Sequence, residues 1–137
     1  MFLNSSFYNY LLHDSSIDTI YLDGSNIYLN FNSGFFDYKH NQLENCKIIV
    51  TIKDLSKLNI NSFINIKKTI SKRKSTVYKQ ILFADFEKML LKNNFEIEAE
   101  YYSDFERAIL LVGKVGNYGL EFKITDIDKL DFCFDDC

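Results

Sequence analysis

Neither proline nor tryptophan occurs in the chain, although it holds 13 phenylalanines and 9 tyrosines. Alanine and arginine are scarce, whereas the abundant residues (Asn, Ile, Lys, Phe, Tyr) have A/T-rich codons. Genome composition explains much of that profile, so it carries little functional weight. The three cysteines, Cys46, Cys133 and Cys137, are an odd number without metal-type spacing, which argues against a disulfide framework. Cys46 reads as a core residue and Cys137 as a free terminal thiol. With His13 and His40 they make no recognised zinc spacing, and neither metal nor cofactor is expected. No apolar run approaches the roughly 18 residues of a membrane span, and the first residues lack the basic and apolar regions of a signal peptide. The expectation is a reduced, cytoplasmic protein with no membrane association. Hydrophobic residues at 47% and charged residues at 26% exclude the composition of a disordered chain.

What is present is a pattern of short strands. Residues 12–31 read as a β-hairpin: Ile27, Leu29 and Phe31 fall on one face, Tyr28, Asn30 and Asn32 on the other, and Asp23-Gly24 supplies the turn. Ahead of it, Tyr8, Leu11 and Leu12 share a helical face, predicting a short helix over 5–12. Residues 32–45 read as a loop with an edge strand. Residues 46–53 alternate as a strand, 54–61 form a polar connection, and 63–70 alternate again. Residues 71–79 are polar and basic. The stripe Leu82, Phe83, Phe86, Met89 and Leu90 then predicts one helix over about 81–94, with Asp85 and Glu87 early and Lys88 and Lys92 late, the order that suits the macrodipole.

After the helix, Phe95, Ile97, Ala99 and Tyr101 alternate with Glu96, Glu98, Glu100 and Tyr102, which predicts a strand with its glutamates in water. Residues 108–112 read as a central strand, 113–119 as a connection, and 120–124 and 130–134 as closing strands. The connections beyond residue 95 are too short for parallel crossovers. Together these predict a single α+β domain over residues 1–137: one mostly antiparallel, curved sheet or partial barrel of seven to eight strands, with the helix packed on it.

Chemistry is sparse in the sequence. His13-Asp14-Ser15 invites a triad reading, but neighbouring side chains on an extended segment point apart, so Asp14 and Ser15 are better read as bridging backbone groups. The run from Gly113 to Gly119 lacks the Gly-Lys-Ser/Thr ending of a phosphate loop, and no helix follows it. No catalytic residue is assigned. Charge is uneven. Residues 55–84 hold seven basic side chains and no acid, while 1–54 carry a net −3 and 85–137 a net −7. Lys67, Lys68, Lys72, Arg73, Lys74 and Lys79, with Tyr78 to stack, would suit a nucleic-acid backbone, but a pI of 5.3 favours a solvated hairpin or loop. In the acidic half, Glu96, Glu98, Glu100, Tyr102, Asp104 and Glu106 form the candidate surface for a basic protein partner, which complementary charge would steer.

The LHDSSIDTIYLDG stretch followed by NIYLNF, and the ADFEKMLLKNNFEIEAEYYS segment, resemble a loose group of small uncharacterised bacterial proteins from low-GC Gram-positive species, in which an LHDS-x-I motif precedes a β-hairpin. That resemblance implies an immunity-like protein encoded near a toxin, and it transfers no catalytic residue. The expectation is a non-enzymatic protein-binding module, an immunity protein neutralising a basic toxin, as a monomer or homodimer. The alternatives are nucleic-acid binding through residues 67–79 and an unrecognised hydrolase using His13 and Asp14.

Overall fold

A computed structural model describes residues 10–67 and 74–134. Tyr10–Leu11 (β1) is a strand and not the end of a helix, and the rest of the expected 5–12 helix lies largely outside the described residues. Aromatic packing overrides the weak helical spacing here, as the Tyr10 ring meets Phe35, Phe132 and Phe134 at centroid distances of 5.7, 4.6 and 5.2 Å. Ser16–Ile17 (β2), Thr19–Asp23 (β3) and Asn26–Phe31 (β4) follow. The last two are the expected hairpin, with Gly24 at φ 60° in its turn and Ile27, Leu29 and Phe31 all buried. The first arm divides: β2 belongs to a different sheet from β3. Asp18 is the single residue between them, its N–H donating to Asn30 O and its carboxylate accepting from Asn32 N.

Phe35–Asp37 (β5) and Gln42–Leu43 (β6) join β1 in a three-stranded sheet where a loop with one edge strand was expected. The Asp37 carboxylate ties their connection by accepting from the N–H groups of Asn41 and Lys39. Those bonds, the Asn41 one foremost, hold its carboxyl below the usual aspartate range. Cys46–Ile52 (β7) buries Cys46, Ile48, Val50 and Ile52 and half-exposes the residues between, so its alternation was legible. A 3-10 turn at Leu55–Lys57 then shortens the expected polar connection, because Leu58–Lys67 (β8) begins five residues earlier than its alternation suggested. Lys74–Ile81 (β9) pairs with β8, so much of the polar basic stretch is an edge strand.

The helix, Phe83–Leu90 (α1), is shorter than its periodicity implied, since Ile81 completes β9 and Leu82 is the N-cap. Phe86 and Leu90 are buried, and Phe86 meets Phe95 and Phe122 at 5.6 and 5.4 Å. Leu82, assigned to the apolar stripe, is 73% exposed. Phe95–Ser103 (β10), Ala108–Val115 (β11) and Tyr118–Ile124 (β12) form the expected antiparallel meander, with β11 at its centre; the connection read over 113–119 shrinks to Gly116-Asn117. Ile127–Phe134 (β13) leaves the meander to pair with β7.

The α+β class and the antiparallel pairing stand, but the single curved sheet does not. The orders are β1-β5-β6, β2-β10-β11-β12-β8-β9 and β13-β7-β4-β3: three sheets, none closed. One hydrophobic cluster draws on all three and on α1. The chain passes between the two larger sheets at Asp18, at the Leu55–Lys57 turn and at Thr125-Asp126, and these short crossings are what divide the strands between two layers. Cys46 is a buried free thiol whose Sγ donates to Leu43 O. Cys133 is disulfide-bonded, its partner outside the described residues, so an odd cysteine count did not exclude a bridge.

Candidate interaction surface

The site begins with a break in alternation. In β10 the register against β11 runs Phe95↔Val115 and Ile97↔Gly113, then shifts so that Ala99 meets Val112, Glu100 meets Leu111 and Tyr102 meets Ile109. One extra residue in β10 is a β-bulge, and because side chains alternate with period two it reverses the facing of everything after it. Directly opposed residues share a face. Glu100 and Tyr102 therefore lie on the inner face with the buried Leu111 and Ile109, and Ala99 and Tyr101 are turned out beside Val112 and Leu110. Gly113 permits the distortion: a Cβ there would lie 1.8 Å from Glu96 O.

The expected row of three solvent-facing glutamates is thus corrected for one member. Glu96 and Glu98 are exposed and Glu98 pairs with Lys114 at 3.4 Å, but the Glu100 side chain is only 12% exposed. Glu100 Oε1 accepts from Leu12 N at 3.0 Å and lies 3.3 Å from His13 Nδ1, while Oε2 accepts from the Tyr102 hydroxyl. The carboxylate clamps the segment between β1 and β2 onto β10. The structure does not bring His13, Asp14 and Ser15 together as a triad. His13 finds its carboxylate in Glu100, Asp14 sits at φ 66° with its N–H donating to Ile97 O, and the buried Ser15 Oγ has no hydrogen-bond partner among the described residues.

On the outer face the bulge leaves an apolar stripe of Ala99, Tyr101, Leu110 and Val112, with Tyr101 58% exposed. A hollow of 150 Å³ beside it is lined by Tyr101, Tyr102, Ser103, Glu106, Leu110 and Lys123, among others. In the β10–β11 turn Phe105 is 99% exposed between Asp104 and Glu106. Of the six candidate residues, Glu96, Glu98, Asp104 and Glu106 border this face, while Glu100 and Tyr102 belong to the inner clamp. Sequence reasoning left out Leu110, Val112 and Phe105. The available signal was the apolar character of residues 108–112 on both faces, which read as double-sided burial.

The basic candidates are divided. Lys67 ends β8 and Lys74 begins β9, Tyr78 and Lys79 are exposed along β9, and Lys68, Lys72 and Arg73 lie outside the described residues. Among the described residues no group of three metal-ligating side chains gathers, and no helix is long and apolar enough to cross a membrane.

The architecture defines an α+β protein of antiparallel sheets with a single short helix among the described residues. Comparison with protein-family models, with curated proteins and with solved structures finds no match.

Proposed function

We propose that this chain is a non-enzymatic protein-binding module whose contact face is the outer side of the β10–β11–β12 meander and whose partner is basic. The resemblance gives the reading its specific form, an immunity-like protein that neutralises a toxin by covering it. The observation that carries it is the apolar stripe around Tyr101 with Phe105 beside it, edged by Glu96, Glu98, Asp104 and Glu106. Binding energy concentrates in a few aromatic anchors, and surrounding charge sets the on-rate and the choice of partner. Lys114 is already paired with Glu98, so Lys123 is the one cation of this face without an ion pair among the described residues.

The test is retention of a partner by tagged protein from lysate of the source organism, at low and moderate salt, with the retained species then titrated against variants. A basic protein held in stoichiometric amount should bind Tyr101→Ala and Phe105→Ala at least about tenfold more weakly, the effect of losing a hot-spot aromatic. Unchanged affinity in both variants, or nothing basic retained, would overturn the reading. Exposed Tyr78 beside Lys79 on the β9 edge supports nucleic-acid binding as a second reading. Salt-sensitive nucleic acid in the eluate, lost on charge reversal of Lys72, Arg73 and Lys74, would favour it.

A further inference from the structure

A second surface lies on the other large sheet, where β3 is an edge strand. Which of its backbone groups are free follows from the hydrogen-bond parity. The Ile52 N–H donates to Ser25 O, so Ile27, Leu29 and Phe31 bond toward β7, and Asn26, Tyr28 and Asn30 bond toward β3. Their partners across that ladder are Asp23, Tyr21 and Thr19. Ile20 and Leu22 therefore direct N–H and C=O outward, with no neighbouring strand among the described residues.

Alongside this edge runs a groove of 350 Å³ between β3 and α1. Thr19 and Ile20 form one wall, and Ala84, Glu87, Lys88 and Leu91 form the other, over Leu90. Positions 84, 87, 88 and 91 share one helix face, so the groove follows the helix axis. Leu91 is 84% exposed, while Ile20 and Leu90 are buried at 5% and 7%: an apolar floor with an apolar lip. Asp85 is occupied by the Leu82 N–H. Glu87 and Lys88 in the groove and Asp23 farther along the edge make no ion pair among the described residues, leaving two carboxylates against one ammonium.

We propose that this groove binds an extended peptide segment that adds to β3 as a further strand, with apolar side chains over Ile20 and Leu90 and basic ones beside Glu87 and Asp23. An open edge supplies the main-chain bonds and the slot supplies side-chain selection, the general logic of strand addition. A strand fits where a helix would not, because only an extended backbone matches the spacing of the outward groups at Ile20 and Leu22. The proposal goes beyond the outer-face reading, since the two surfaces lie on different sheets, and either can fail alone.

The probe is a capped hexapeptide alternating lysine with isoleucine, titrated into the full chain with backbone amides followed by NMR. Saturable binding should shift the Ile20 and Leu22 amides and slow their hydrogen exchange. Methylating alternate peptide nitrogens should abolish binding for the set facing β3 and spare it for the other set. Glu87→Lys, at an exposed helix position that leaves the core intact, should weaken binding about tenfold, and a glutamate-isoleucine counterpart should bind correspondingly less well than the lysine peptide. Binding without protection at Ile20 and Leu22, equal tolerance of both methylation patterns, or no binding to folded protein would each overturn the proposal.

Discussion

Glu100 shows how much one residue can depend on its surroundings. Its carboxylate accepts from the Leu12 N–H and the Tyr102 hydroxyl and lies beside His13, and it does so on the inner face of a sheet. Replacing it with alanine leaves a backbone donor and a phenol without their acceptor, which costs about 2 kcal/mol when such groups are shielded from water. Glu100→Gln keeps an acceptor oxygen and should lose less than half as much. Urea denaturation of the two variants against the parent checks the order, and equal losses would mean that the negative charge, not the acceptor, holds the clamp. The contrast with Glu96 and Glu98 is instructive, because three chemically identical side chains spaced two apart are divided between water and interior by one unpaired residue in the strand.

Elements were legible where the pattern had one dominant cause. The β3–β4 hairpin and β7 were readable because burial on one face writes directly into period two. The antiparallel meander followed from short connections. The bulge was not readable: Phe95 to Tyr101 alternates without a flaw, and the reversal comes from one extra residue of β10 in its register against β11, for which Gly113 leaves room. For the same reason Tyr101 keeps the spacing of the buried Phe95 and Ile97 and yet lies on the surface. Helix α1 was overextended because Leu82 keeps the helical spacing while serving as the N-cap at φ −81° and ψ 159°. Leucine has no acceptor for the first-turn N–H groups, and the only side-chain capping bond runs the other way, from Leu82 N to Asp85 Oδ2. Leu82→Ser would complete a reciprocal cap at an exposed position and should stabilise the protein by about 1 kcal/mol. Thermal unfolding should show a raised Tm, and a lowered one would mean that the exposed leucine packs more than its accessibility implies.

Across the whole molecule, two turns dock where the chain leaves one large sheet for the other. Arg107, held at φ 52°, donates from Nε to Ile127 O and from Nη2 to Asp128 O, while Ile127 N–H donates back to Arg107 O and Asp126 N–H to Glu106 O. A non-glycine residue in the left-handed region is tolerated when its surroundings fix it, and here two carbonyls at the start of β13 do so. Arg107→Met should remove about 2 kcal/mol, the scale of hydrogen bonds made by a charged donor, and should speed amide exchange at Asp126 and Ile127 before the core. Loss confined to global unfolding would show that the docked turns open only with everything else. A single residue, Asp18, carries the chain from β2 to β3. In mechanical terms Asp18 is a short tether: with its bonds to Asn30 and Asn32 it leaves β2 little slack to slide along β3, so the two sheets are held in step at this line.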